Sequence, residues 1–192
     1  MIFKGVSGLK RALSLSVIFL VIDQLTKWYF QNYFVGRSLH IVSGFGFTYT
    51  TNPGIWMNNN ISLEALSFLH VLVIFFWIFC LYLMKYYQAY YRKSIYTDIS
   101  FGLLTTAAFG NLLDRLLYGF ARDFLINPIA TSNLADIAGS LMLVFVALEF
   151  IIFPKARPLL RIGKPKEWLR NLKAFFGFVR GRNPEHCTTR DS

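Results

Sequence analysis

Charged residues are scarce in this chain. Of its 192 residues only 16% are Asp, Glu, Lys or Arg, and the acids number ten against twenty bases. Soluble domains average about 25% charged residues. This share, with 55% hydrophobic residues and a mean hydropathy of +0.44, excludes an ordinary soluble domain. The three histidines, His40, His70 and His186, lie in separate regions with no carboxylate or cysteine at ligand spacing, so no metal site is expected. Gly-x-Gly-Asp, His-Glu-x-x-His and Gly-x-Ser-x-Gly are all missing, which sets aside the protease classes those signatures mark. No internal repeat is evident.

What the chain has in quantity is apolar length. A membrane-spanning helix needs roughly 20 mainly apolar residues, and four stretches qualify: about Ala12 to Phe30, Leu63 to Met84, Ile99 to Leu117, and Leu134 to Phe153. The first is preceded by Lys4, Lys10 and Arg11 like a secretory signal, but it lacks a small-residue cleavage pattern and runs into Asp23 and Lys27. It is expected to be retained. The fold class predicted is an all-α membrane protein with four transmembrane helices in residues 1–153, followed by a basic tail, residues 154–192.

Orientation follows from the bases. With both termini cytoplasmic, sixteen of the twenty fall inside, and only Lys27, Arg37, Arg115 and Arg122 fall outside, as the positive-inside rule requires. Asp23, Asp114, Asp123 and Asp136 then gather toward the extracytoplasmic side. Cys80 and Cys187 both face the reducing compartment, and no disulfide is expected.

The net charge of +10 resides mostly in the tail, behind a membrane span, which favours anionic lipid over nucleic acid as its partner. From Lys166 to Arg180 the tail reads as an amphipathic helix. Trp168, Leu169, Leu172, Phe175, Phe176 and Val179 recur at helical spacing, and Lys166, Arg170, Lys173 and Arg180 occupy the other side. Pro165 and Glu167 suit its start and Gly181 its end. Residues 182–192 read as disordered.

The outer loop, residues 34–62, is long enough to have structure of its own. Phe45, Phe47 and Tyr49 alternate with Gly46, Thr48 and Thr50, and Asn52-Pro53-Gly54 supplies a turn. This is either a small surface sheet or a β-cradle offering a strand edge to an extended peptide.

Ionisable groups in a membrane segment are costly, and a group of them marks a functional site. Asp123 and Asp136 flank a short connection between two apolar segments. Close together, such carboxylates share a proton, so that one takes a proton from water while the other donates to a scissile carbonyl. Asn133 followed by Asp136 also reads as a helix start, whereas Asp123 has no capping role. Arg122 precedes Asp123, and a cation there is expected to lower its pKa. On the third helix Asn111, Asp114 and Arg115 share part of a face, either holding the helix end or touching substrate. Asp23 and Lys27 are four apart, the spacing of an ion pair, with Lys27 expected to snorkel toward the interface beside Trp28 and Tyr29.

In order, Asp23-Gln24-Leu25-Thr26-Lys27, Asn52-Pro53-Gly54, Gly110-Asn111-Leu112-Leu113-Asp114-Arg115, Asp123-Phe124 and Asn133-Leu134-Ala135-Asp136 resemble lipoprotein signal peptidase, also known as signal peptidase II, over about residues 10–153. The resemblance implies an aspartyl endopeptidase of the bacterial cytoplasmic (inner) membrane. It would remove signal peptides from prolipoproteins by cutting before a cysteine that carries diacylglycerol, with no cofactor. It further implies Asp123 and Asp136 as the catalytic pair, and Asp23, Lys27, Asn52, Gly54, Asn111, Asp114, Arg115 and Asn133 as groups that support the site or position substrate. Two other readings stay open: a relative with altered or lost peptidase activity, and a small carrier using the same carboxylates. A carrier is expected to hold its charges near the midplane with inverted repeats.

Overall fold

The computed structural model describes residues 6–54, 63–153 and 165–181. Four long helices form on the apolar stretches: α1 (Val6–Tyr33), α2 (Leu63–Tyr90), α3 (Ile95–Tyr118) and α4 (Leu134–Ile152). The first three extend up to about two turns beyond their apolar limits at one or both ends. A helix continues as long as its residues favour it, and Lys, Arg and Gln do so whether or not they are apolar. The ends are set by caps. Ser94 accepts from the backbone N–H of Tyr96 to start α3, and Gly119, at φ +82°, turns the chain out of it. Only glycine adopts that left-handed conformation without strain.

Ala65–Ala89 of α2 and Leu134–Ile152 are long and apolar enough to cross a membrane. Their large apolar side chains point outward, among them Phe68, Phe75, Phe76 and Phe79 on α2 and Leu143, Val144 and Ile151 on α4. So much exposed apolar surface suits a hydrocarbon surround, not water. Helix α3 packs between α1 and α4. The approach is close because Gly110 has no side chain: a Cβ there would stand 2.7 Å from that of Ala135 and 2.9 Å from Asp23 Oδ2.

At one end of the bundle sits a four-stranded antiparallel sheet, ordered β1 (Ser38–Val42), β2 (Phe45–Asn52), β3 (Ala121–Ile126), β4 (Thr131–Ser132). The outer loop supplies β2 where the alternation predicts a strand, and β1 beside it, while residues 55–62 of that loop lie outside the described residues. The expectation of a sheet confined to the outer loop is corrected by the structure. β3 and β4 come from the connection between α3 and α4, and Thr50 on β2 pairs with Asp123 on β3. Phe124 stacks at 4.5 Å on Phe30 of α1, which stacks in turn on Phe47.

The opposite end is tied by acids. Asp98, fully buried at the start of α3, pairs with Arg11 at 2.7 Å. Glu149 of α4 accepts hydrogen bonds from Tyr87 and Ser94. A final helix, α5 (Pro165–Val179), packs on α2. Residues 154–164 and 182–192 of the tail lie outside the described residues.

Candidate functional site

Asn133 stands at the centre of the polar cluster. It is the N-cap of α4: its side chain accepts from the backbone N–H of Asp136 while the carboxylate of Asp136 accepts from the backbone N–H of Asn133 at 3.0 Å. The reciprocal pair satisfies two backbone donors that every helix start leaves open. With its oxygen occupied by the cap, Asn133 turns its amide Nδ2 the other way and donates to Asp123 Oδ1 at 2.6 Å. One asparagine thus holds both aspartates, one through its side chain and one through its backbone.

The two carboxylates differ in surroundings. Asp123 is 1% exposed and also accepts from Asn52 Nδ2 at 3.2 Å. Asn52 is itself oriented by the backbone N–H of Gly54, 3.1 Å from its Oδ1. Burial raises the pKa of Asp123 to about 6, and the charge of Asp136 raises it too; the amides of Asn52 and Asn133 and the charge of Lys27 oppose them. Asp136 is exposed and accepts from Asn111 Nδ2 at 2.8 Å. An acid whose pKa is raised to about 6 stands beside a carboxyl group open to solvent, an arrangement that suits general acid and general base work.

Around the pair lies a buried scaffold of charges. Lys27 is 0% exposed, and its ammonium lies 2.8 Å from Asp23 and 3.2 Å from Asp114, with a hydrogen bond to Asn111 Oδ1 at 3.2 Å. The ion pair with Asp23 is as its spacing predicts. The expected snorkelling of Lys27 is overturned, because two carboxylates and an amide inside the bundle outbid the interface for its charge. Asp23 also accepts from the backbone N–H of Ala135 at 3.0 Å, clasping the first turn of α4 to α1.

Arg122 corrects a second expectation. Its guanidinium points away from Asp123, to Asp114 at 2.7 Å, Gln24 at 2.7 Å and Gln31 at 3.0 Å, and lies over the ring of Tyr118. The pKa of Asp123 is raised, not lowered, with burial the largest cause. Asp114 is therefore paired with Arg122 and Lys27, whereas Arg115 donates to the carbonyl of Gly54 at 2.6 Å and to that of Asn111 at 3.3 Å. Asp123, Asp136, Asp23, Lys27, Asn52, Gly54, Asn111, Asp114, Arg115 and Asn133 all meet in this one network. Gln24, Asp98 and Glu149 escaped the sequence reading. For the two acids the signal was there, a carboxylate set in an apolar helix. Among the described residues no group of three or more His, Cys, Asp or Glu is placed to hold a metal ion.

Comparison with known proteins places this geometry in context. The family profile described as signal peptidase (SPase) II matches residues 15–152. The lipoprotein signal peptidase of Blochmanniella pennsylvanica is 32% identical over 146 residues, spanning 71% of this chain and 86% of its own. That of Caldicellulosiruptor bescii is 33% identical over 136 residues, spanning 67% of this chain and 85% of its own. A bacterial membrane enzyme solved by the in meso method at 1.9 Å superposes with a TM-score of 0.61 at 21% identity, over 76% of this chain and 92% of that one. At that identity the likeness is one of fold.

Proposed function

The chain belongs to the signal peptidase II family and is a peptidase with the fold of a membrane enzyme; from that premise we propose that it removes signal peptides from prolipoproteins by an aspartyl mechanism. Asp123 and Asp136 form the catalytic pair, and the bond cut precedes the diacylglyceryl cysteine. The observation that carries this reading is the shared asparagine, which holds a buried carboxylate through its side-chain amide and an exposed one through its backbone N–H.

In this mechanism Asp123 begins protonated and Asp136 ionised. Water enters on the exposed side. Asp136 takes its proton as the water oxygen attacks the scissile carbonyl carbon, and Asp123 donates its proton to the carbonyl oxygen. As the tetrahedral diol collapses, Asp136 returns a proton to the departing amine and Asp123 recovers one from a hydroxyl, which restores the pair. Asn111 and Asn133 fix the carboxylates. Asp23, Lys27 and Asp114 hold the helices that carry them, and Arg115 tethers Gly54 beside Asn52.

A lipidated substrate does not leave the bilayer, so the site must lie at the membrane surface. We place α1 to α4 as four spans, with both termini cytoplasmic and the sheet on the extracytoplasmic side of the bacterial inner membrane. In support, Asp23, Lys27 and Asp114 on α1 and α3 are each 0% exposed, while Val17, Ile18, Val21 and Leu25 face out. Asp123→Asn and Asp136→Asn are each expected to lower cleavage of a diacylglyceryl prolipoprotein in detergent by on the order of 10²- to 10⁴-fold, with the helical circular dichroism intact. Full activity in either variant removes the dyad.

A further inference from the structure

Helix α5 lies beyond residue 152, where the family match ends, and the peptidase mechanism makes no use of it. It presents three different faces. Phe175 meets Phe79 and Tyr86 of α2 at ring distances of 5.7 and 5.6 Å, and Phe178 meets Tyr86 at 5.5 Å. Phe175 is 6% exposed. Turning around the helix by about 100° per residue, the next stripe holds Phe176 and Val179, which remain 54% and 38% exposed. Beyond that stripe stand Lys173 and Arg180, both exposed.

The contacts on α2 fall between Phe79 and Tyr86, within about 16 Å of its end at Tyr90. They lie at the end of the bundle remote from Asp123. There Phe75, Phe76 and Phe79 of α2 are themselves exposed apolar side chains, and on α5 the bases flank the uncovered stripe on the side away from Phe175. α2 therefore covers only one edge of the apolar arc of α5. A protein neighbour would have to be apolar and acidic at the same boundary, a combination that an anionic lipid leaflet offers along its whole surface.

We propose that α5 is an interfacial helix clamped to α2, which docks its Phe176 and Val179 stripe into the cytoplasmic leaflet and its Lys173 and Arg180 onto anionic phospholipid headgroups. This rests on the four-span reading above. Lys166 and Arg170 belong to the same basic stripe by spacing. Each basic side chain near an anionic surface strengthens attachment about fivefold, so the loss of two weakens it about 25-fold.

The test uses the full chain with Cys80→Ser, Cys187→Ser and Phe176→Cys, labelled at position 176 with an environment-sensitive dye. It is reconstituted in vesicles of phosphatidylcholine alone or of equal parts phosphatidylcholine and phosphatidylglycerol. In the anionic vesicles the emission is expected to shift to the blue and to resist quenching by acrylamide. High salt, or Lys173→Gln with Arg180→Gln, is expected to reverse both effects. Identical emission in the two lipids overturns the proposal, and so does protection that rises with protein-to-lipid ratio, which would assign the face to a second copy. Prolipoprotein cleavage is followed in the same vesicles. Lipid dependence without cleavage fails the peptidase reading alone, and cleavage without lipid dependence fails this one alone.

Discussion

Asp123 and Arg122 are neighbours in sequence but not in environment, because successive residues of a strand face opposite ways. Arg122 completes the buried charges of Asp23, Lys27 and Asp114, two of each sign, while Asp123 faces asparagine amides. The pH dependence follows. A general acid works only while protonated, so cleavage is expected to fall as pH rises through the pKa of Asp123, about 6. The amide of Asn52 stabilises the ionised form and so holds that pKa down. Asn52→Leu removes the donor, and the alkaline limb of kcat/KM is expected to move to higher pH. A limb that stays in place or moves down would strip Asp123 of the acid role. In the sequence the clustering of these residues was visible as motifs, yet the direction of the Arg122 side chain was not, since it depends on a strand that periodicity did not reveal.

At the scale of elements, the separation between α3 and α4 decides whether Asn111 reaches Asp136. Gly110 sets it. Gly110→Val pushes branched carbons into Ala135 and Asp23, an overpacking that costs about 1–3 kcal/mol. A lower Tm in detergent is expected, with cleavage reduced even where the protein is folded; an unchanged Tm would mean that the helices have room to spare. The helices were legible because apolar length is a strong signal, and the start of α4 was legible because Asn133 and Asp136 have the spacing of a capping pair. β3 was not. Ala121 to Phe124 are buried on both faces, so the strand lacks the alternation that betrayed β2, and the charged pair Arg122-Asp123 inside it hides the strand signal. The pairing of Thr50 with Asp123 joins residues far apart in the chain, which no local pattern encodes.

For the whole molecule the charge asymmetry makes a claim about sides. In a chain with Cys80 and Cys187 changed to Ser, Arg37→Cys on the sheet side is expected to react with an impermeant maleimide in intact spheroplasts. Lys85→Cys, exposed near the far end of α2, is expected to react only after the membrane is opened. The reverse pattern would invert the topology and put the sheet in the cytoplasm. That asymmetry could be counted from sequence, but the division of labour between the two ends could not. Burial of Asp98 and Glu149 at the end away from the sheet emerges only once the helices are side by side.

The double duty of Asn133 has a consequence for the life of the chain in the cell. Its cap exists only once α4 has begun, and its amide meets Asp123 only when β3 has joined the sheet. A newly inserted chain that has not completed that turn carries two acids with nothing to aim them. The geometry of the polar cluster is therefore completed only when α4 and β3 are both in place.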